Sequence, residues 1–292
     1  MSYMTFTSTQ ARSTLHSSPF ALPAVAAARD ERQPYFAALL SRFAPISLAQ
    51  MSAVALQDRT DTKFVLDERQ LYQALSALAG QYYVLDISGL RLNRYRTLYF
   101  DTTDLALFQQ HHARRRNRYK VRSRNYVDSR LSFLEVKRKL KGNRTLKHRL
   151  PTAGLLTCLT PEASAFLNDS LPFAPHALRP ALWDQYTRIT LVSTSHSERL
   201  TLDLNLRFMR PEGSPSAERA LTLPGVAIAE VKQDRLNRDS AFMAQMRALG
   251  IRPISFSKYC AGVILLYEGV KHNSFKAKMR VVERIIREEC HE

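Results

Sequence analysis

Cysteine, glycine-rich nucleotide loops and long apolar runs are all scarce in this 292-residue sequence. Three cysteines, Cys158, Cys260 and Cys290, form no C-x-x-C pair and no Cys/His pair at ligand spacing, which argues against a disulfide framework and a structural zinc site. None of the nine glycines precedes a lysine, which excludes a P-loop. No apolar run approaches the roughly 18 residues of a membrane span. We therefore predict a protein of a reducing, cytoplasmic compartment.

Positive charge is abundant by contrast. Forty-three Lys and Arg residues face 26 Asp and Glu residues, a formal net charge of +17. This excess favours an anionic partner such as nucleic acid, anionic lipid or phosphate, and the total charge leaves the choice among them open.

The chain divides into three predicted parts. Residues 1–33 are rich in Ser, Thr and Ala and predict a disordered tail; residues 20–28 are a weaker candidate for a secretory apolar segment. Residues 34–270 predict one domain without internal repeats. Residues 271–292 predict an amphipathic C-terminal helix that either docks on the core or contacts a membrane or partner.

Eight segments alternate apolar and polar residues with a period of two, which predicts strands. They are 59–66, 94–101, 117–126, 131–141, 144–150, 185–194, 198–208 and 226–234. Helices are predicted before the first strand, after Asp67, from Thr102 or Thr103, after Asp239 or Ser240, and after Ser257. Gly142 and its neighbours predict a hairpin turn. The pattern therefore predicts an α+β fold in which eight strands form a barrel-like sheet covered by helices.

The polar faces of these strands are charged, because residues i, i+2 and i+4 of a strand share one face. These faces comprise Arg59, Asp61 and Lys63; Arg118, Lys120, Arg122 and Arg124; Glu135, Lys137, Lys139 and Lys141; Tyr186 and Arg188; Arg199, Asp203, Asn205 and Arg207; and Glu230, Lys232 and Asp234. On strand 198–208, the same pattern assigns Leu200, Leu206 and Phe208 to the apolar face.

Two interpretations of the charged faces stay open on pattern alone. They are the solvated side of an open basic sheet, or they line a β-tunnel that holds a polyanion. The surplus of cations, which repel one another unless an anion lies among them, is an argument for the tunnel but does not exclude the open sheet. A third interpretation, a nucleic-acid patch at residues 111–118, has no accompanying nucleic-acid motif.

Several segments resemble the vacuolar transporter chaperone (VTC) domain of the triphosphate tunnel metalloenzymes. They are 59–64 (RTDTKF), 98–104 (LYFDTTD), 118–126 (RYKVRSRNY), 133–137 (FLEVK), 230–232 (EVK) and 255–259 (SFSKY). The resemblance runs in order over about residues 56–268. It implies an eight-stranded antiparallel β-tunnel with a charged interior, covered by helices. It also implies that this tunnel moves the γ-phosphate of ATP to a polyphosphate chain with a divalent metal, Mn²⁺ or Mg²⁺.

The resemblance and the charged faces together predict three sets of site residues. The catalytic set is Lys63, Arg122, Arg124, Lys137, Arg188 and Lys258. The phosphate-binding set is Arg59, Lys120, Lys139, Lys147, Tyr186, Arg199, Lys232 and Ser257. The metal-binding set is Glu230, Glu135 and Asp203.

The sequence departs from the family pattern at two places. Ser255 stands where fungal members carry a lysine, and the first motif is Arg-x-Asp-x-Lys where the hydrolase branch has Glu-x-Glu-x-Lys. The alternatives are therefore a tripolyphosphatase or nucleoside triphosphatase, with Asp61, Glu135 or Asp203 as the base, and a binding module without turnover. The expected partners are ATP and polyphosphate or another phosphate polyanion, with nucleic acid disfavoured. Because the chain lacks the family's membrane segments, coupling to transport would need a separate membrane partner protein.

Overall fold

A computed structural model describes residues 33–53, 59–140, 144–212 and 220–291. Its strands are β1 Ala44–Ile46, β2 Thr60–Asp67, β3 Tyr82–Leu85, β4 Asn93–Asp101, β5 Arg118–Tyr126, β6 Leu131–Lys139, β7 Thr145–Thr152, β8 Arg179–Ser193, β9 Glu198–Met209, β10 Ala220–Thr222 and β11 Val226–Gln233. Its α-helices are α1 Gln33–Leu40, α2 Leu48–Ala53, α3 Glu68–Ser76, α4 Ala106–His112, α5 Pro161–Ser170, α6 Ala241–Ala248, α7 Lys258–Leu266 and α8 Lys276–Cys290. The expected tail lies outside the described residues except for Gln33, and so does the expected hairpin turn.

Eight strands form one continuous path in the order β2-β11-β9-β8-β4-β5-β6-β7, and every neighbouring pair is antiparallel. The α+β class with eight antiparallel strands is therefore confirmed. Three short strands that the sequence pattern missed extend the sheet: β10 pairs with β9, β3 with β8, and β1 with β3. Among the described residues no ladder joins β2 to β7, so the sheet is curled but open along that seam.

Helices cover the outer face of the sheet in two places. Helices α1, α3 and α6 bury a cluster against the outer residues of β2, β8, β9 and β11, and α5 covers the outer residues of β4, β5 and β6. The helix after Asp67 forms as predicted: Asp67 accepts from the backbone N–H of Gln70 at 2.7 Å, and Gln70 returns a contact to the Asp67 N–H. Its Leu71 and Leu75 are fully buried.

The two C-terminal helices lie on the opposite, inner face at one end of the strands. Helix α7 is almost entirely buried, and α8 inserts Met279, Val282 and Ile286 into the same core cluster. Gly262 is required there, because a Cβ atom would lie 2.5 Å from a Leu182 methyl group. The C-terminal amphipathic helix therefore docks through its apolar side, and the rest of the inner face is left to the charged residues.

The segment 98–104 has a structural role. The buried Asp101 carboxylate accepts hydrogen bonds from the backbone N–H groups of Leu107 at 2.8 Å and Phe108 at 2.9 Å, and from the Tyr259 hydroxyl. Thr102 accepts from the Ala106 N–H at 2.8 Å. Asp101 and Thr102 thus cap α4 together, and Asp101 also ties α7 to β4.

The assignment of faces on β9 was wrong beyond Leu204. Asn205 has a φ of +54°, and the register with β8 shifts there, as in a β-bulge. The extra residue reverses the alternation, so Leu206 and Phe208 lie on the inner face against α7, whereas Leu200 stays in the outer cluster. By the same shift Arg207 leaves the charged face.

Within the described part of the chain, no helix combines the length and apolar character needed to cross a bilayer.

Candidate functional site: the cationic inner face

The charged residues share one concave face of the sheet. Four strands separate β11 from β6, yet Glu230 on β11 and Lys137 on β6 alter each other's pKa. Burial and the charge of Lys63 on β2 also lower the pKa values of Lys120 and Lys139 on β5 and β6. Charges on such distant strands can interact only if the sheet curls around them.

The first ion-pair cluster surrounds Glu135, a fully buried side chain on β6. Arg122 donates to Oε2 from Nε at 2.7 Å, and its Nη2 lies 2.6 Å from the same oxygen, while Lys147 contacts Oε1. Burial alone would raise the pKa of Glu135, but Arg122, Arg124 and Lys147 hold it well below its usual range. Glu135 is therefore ionised, and both of its oxygens are occupied.

The second cluster surrounds Asp203 on β9. Arg188 donates from Nε to Oδ1 at 2.5 Å and from Nη2 to Oδ2 at 2.8 Å, a two-point pair. Lys258, the first residue of α7, also contacts Oδ2. Burial opposes ionisation here as well, yet Arg188 and Lys258 hold the pKa of Asp203 far below its usual value. This cluster fixes α7 against the strands.

The third cluster surrounds Glu230 on β11. Lys63 contacts its Oε1, and Lys232 Nζ lies 2.6 Å from Oε2. Burial would raise the pKa of Glu230, but Lys232, Lys63 and Lys137 together keep it well below its ordinary range. The side chain is 21% exposed, compared with 0% for Glu135 and 4% for Asp203.

These contacts test the predicted metal ligands. Among the described residues, no three His, Cys, Asp or Glu side chains lie together as a metal cage. Glu135 and Asp203 each give an oxygen to a rigid guanidinium group and have almost no solvent access. Glu230 is held by two flexible lysines and faces solvent. The residues present therefore fit a divalent ion with Glu230 as its protein ligand, provided that phosphate and water oxygens complete the shell.

Aromatic rings order the cations at the centre of the face. Tyr95 and Tyr186 stack with ring centroids 5.1 Å apart. The guanidinium carbon of Arg188 lies 4.9 Å from the Tyr95 centroid, and Lys258 Nζ lies 4.5 Å from that of Tyr186. Arg124 lies over the same two rings at 5.7 and 5.9 Å. Such contacts hold cations in place without neutralising them.

The beginning of α7 contributes the next group. Ser257 caps the helix by accepting from the Cys260 N–H at 3.2 Å, and Lys120 donates to the Ser257 hydroxyl at 2.8 Å. Burial and neighbouring cations lower the pKa of Lys120 to about 8, so the ammonium group loses its charge only slightly above physiological pH.

The remaining predicted residues lie towards one end of the face, where β2 and β5 begin and β6 ends. Arg59 donates to Asp61 at 3.1 Å, and both side chains are exposed. Arg199 on β9 pairs in register with Lys232 on β11. Burial and the charges of Arg59 and Arg188 lower the pKa of Arg199. Lys139 lies near Asp61 and Lys63. All the predicted site residues therefore lie on this face or at its rim.

The face carries more buried positive charge than its carboxylates can balance. Within the described residues, neither Arg124 nor Lys137 has a carboxylate within ion-pair distance. Burial and the charge of Arg122 push the pKa of Lys137 well below its usual value. An anion placed among these groups would relieve their repulsion.

Two residues of the face were missed from sequence. Asp184 on β8 is fully buried, and both of its oxygens lack a hydrogen-bond partner among the described residues. The strand was predicted to begin at residue 185, whereas it begins at Arg179, so Asp184 fell outside the pattern. Asp184 is two residues before Tyr186, and this spacing could have placed both side chains on the same face of the strand. Arg149 lies opposite Glu135 in register and was overlooked on a short, exposed strand.

Comparison with known proteins gives a family match. A family model described as the VTC domain matches residues 58–267, more than half of the chain. A search of curated proteins finds no match.

Solved structures with partial similarity include a Hippeastrum protein described as a candidate adenylyl cyclase with a dominant triphosphatase activity. It is 16% identical over 70% of this chain and 95% of its own, with a TM-score of 0.45. Candidate adenylate cyclases from Bacillus halodurans and Vibrio parahaemolyticus are each 13% identical. They cover 69% and 67% of this chain and 96% and 85% of their own, with TM-scores of 0.42 and 0.37. At these identities and scores, no activity transfers to this chain.

Proposed function

This chain belongs to the VTC domain family, and on that premise we propose that its inner face binds a phosphate polyanion and catalyses metal-dependent phosphoryl transfer. In its specific form, the reaction moves the γ-phosphate of ATP to the end of a polyphosphate chain. The acceptor is then a terminal phosphate oxygen, the bond to the γ-phosphorus breaks on the ADP side, and ADP leaves.

The unbalanced cations of the inner face support this proposal most directly. Arg124 is buried and Lys137 is half-buried, and both lie among other cations without a carboxylate partner in the described part of the chain. A solvated basic surface would not hold charges at such depth, because desolvation and mutual repulsion both destabilise them. A bound row of phosphates would provide the missing negative charge.

The residues divide into positioning and charge-neutralising roles. The pairs Arg122–Glu135 and Arg188–Asp203 hold each guanidinium group rigid, so their remaining N–H groups can face phosphate oxygens. Lys63 and Lys137 are flexible point charges that can follow a phosphate as it moves, whereas Asp203 and Tyr186 hold Lys258 in place. Glu230 would hold a divalent ion, which would supply positive charge against the negative charge that develops during transfer. No covalent nucleophile is required.

Hydrolysis of tripolyphosphate or a nucleoside triphosphate is the second candidate, and Asp61 supports it. Of the three carboxylates predicted as bases, Glu135 and Asp203 are buried in ion pairs, whereas the Asp61 side chain is 40% exposed beside Arg59. Asp61 can therefore reach a water molecule at the rim.

The test incubates the purified chain with ATP, Mn²⁺ and a short polyphosphate primer, followed by phosphorus NMR. Growth of internal-phosphate signals with release of ADP supports the polymerase, and inorganic phosphate alone supports the hydrolase. Arg124→Met should lose activity by about a hundredfold or more, as expected for a phosphate-neutralising group. Arg96→Met removes the same charge from the outer face, where Arg96 lies over Trp183, and should retain activity. If the chain binds tripolyphosphate without turning over either substrate, it is a binding module; absence of binding contradicts the proposal.

A further inference from the structure

A basic surface without carboxylates adjoins the rim of the inner face. The sequence contains no Asp or Glu between Asp104 and Asp128, and none between Glu268 and Glu283. The fold brings these two stretches together. The resulting basic patch is defined here as Arg114, Arg115, Arg116, Lys271 and Lys278.

Direct contacts join the two halves of the patch. Ser274 donates to the carbonyl oxygen of His112 at 3.1 Å, and the rings of His112 and Phe275 have centroids 6.1 Å apart. Lys278 Nζ lies 4.9 Å from the Phe275 centroid. Burial and the charge of Arg114 lower the pKa of Lys278, so the two cations are close neighbours.

The patch is also continuous with the inner face. Arg118, at the start of β5, donates from Nη1 to the carbonyl oxygen of Arg115 at 3.0 Å. On its other side Arg118 lies near Lys120 and Lys139, whose pKa values burial and this arginine lower. An unbroken line of cations therefore leads from Lys63 over the rim to Lys278.

Folding alone does not account for this arrangement. Within the described residues no carboxylate lies within ion-pair distance of Arg114, Arg115, Arg116 or Lys278. Arg114 also adopts a φ of +51° at the end of α4, a conformation that glycine occupies at lower cost. Repulsion and backbone strain both oppose folding, so a bound anion is a physical reason for keeping an arginine there.

We propose that the basic patch is an extension site for a linear polyphosphate whose end occupies the inner face. This inference depends on the proposed function, because it extends the same binding site. A chain fits better than a membrane, since the apolar side of α8 is buried and the patch offers no exposed apolar residue for insertion. It fits better than nucleic acid because the line of cations continues into the curled sheet, which a duplex about 20 Å wide could not follow.

The experiment compares affinities for tripolyphosphate and for a long linear polyphosphate by competition with a fluorescent ATP analogue. In Arg114→Gln/Arg115→Gln/Arg116→Gln, affinity for the long chain should fall about tenfold or more, with less than a twofold change for tripolyphosphate. The matched control Arg252→Gln/Arg284→Gln/Arg287→Gln removes three exposed charges elsewhere and should change both affinities less than twofold. Equal losses for the two ligands, or no loss, would overturn the inference.

A single variant separates ligand binding from folding. Arg114→Gly removes the strained side chain, so its melting temperature should equal or exceed that of the wild type while long-chain affinity still falls. A lower melting temperature with unchanged affinity would overturn the inference. So would patch-dependent binding of duplex DNA or phosphatidylserine vesicles that matches the binding of polyphosphate. If wild-type protein fails to bind tripolyphosphate, the proposed function itself falls; if it binds tripolyphosphate and the triple variant loses no long-chain affinity, only the extension site does.

Discussion

Arg188 donates two hydrogen bonds to the Asp203 carboxylate, with Nε 2.5 Å from Oδ1 and Nη2 2.8 Å from Oδ2. The pair links β8 to β9, and through Lys258 it also anchors the start of α7. The same two side chains therefore serve both the stability of the sheet and the order of the site.

Arg188→Met should lower the free energy of unfolding by about 3 kcal/mol, because it leaves the buried Asp203 carboxylate with Lys258 alone. Urea denaturation monitored by circular dichroism measures this. The double variant Arg188→Met/Asp203→Asn should recover part of the loss, since it no longer buries an incompletely paired charge. An unchanged urea midpoint in the single variant would show that the pair contributes little.

Glu230→Gln should separate turnover from affinity. The substitution removes the proposed metal ligand, so metal-dependent turnover should fall by at least about a hundredfold. Tripolyphosphate affinity measured without metal should stay equal or rise, because Lys63 and Lys232 lose the carboxylate that occupies them. Isothermal titration calorimetry and a turnover assay provide the two readouts. Full Mn²⁺-dependent activity in the variant would exclude Glu230 as the metal ligand.

As the pH rises through the pKa of Lys120, the affinity for tripolyphosphate should fall and the free energy of unfolding should rise. Its pKa in the folded chain is about 8, below the usual 10.5, so it loses its charge as the pH rises above 8. Tripolyphosphate affinity should then fall, by up to about tenfold per pH unit. Between pH 8 and 10.5 the unfolded chain binds the extra proton, so wild-type stability should rise relative to Lys120→Met. Parallel pH profiles that do not differ between the two proteins would contradict this.

Asp184→Asn should stabilise the protein at neutral pH. Burial raises the pKa of Asp184 from 3.8 to about 6, even though Lys258 and Arg124 oppose the shift. The folded state therefore favours the protonated form, and stability is lost as the pH rises from about 4 through 6. We expect the variant to gain about 1–3 kcal/mol over wild type at pH 8 and little at pH 3.5. A melting temperature lower than wild type at pH 8 would indicate that the ionised carboxylate is needed.

Helix α8 should be an integral part of the core. Ile286→Ala should cost about 2–5 kcal/mol, because the side chain is almost fully buried beside Val282. Arg284→Ala lies on the solvent side, where its pair with Glu288 spans 3.9 Å, and should change stability by less than about 0.5 kcal/mol. Thermal denaturation compares the two variants. Equal, small effects would mean that α8 does not dock on the core as described.

Local pattern was sufficient for the eight main strands and for most of the charged face, but it missed the short strands β1, β3 and β10. The period of two placed Arg122, Glu135 and Arg188 on one side, because side-chain direction along a regular strand depends only on parity. Where a strand is irregular, odd or even position no longer predicts the face of a side chain. The bulge at Asn205 therefore places Leu206 and Phe208 on the inner face. The first part of β8, which includes Asp184, was missed because residues 179–184 do not alternate between apolar and polar side chains.

Sequence pattern alone was sufficient for the eight main strands, the cationic character of one face and the apolar side of α8, because these features depend on the period and chemistry of neighbouring residues. The tertiary structure was needed to show which cation meets which carboxylate, that Glu230 keeps solvent access while Glu135 does not, and that Arg114 lies near Lys278 in the first turn of α8. Such pairings depend on how far the sheet curls and which strands it brings face to face, and that geometry arises from contacts between residues far apart in the chain.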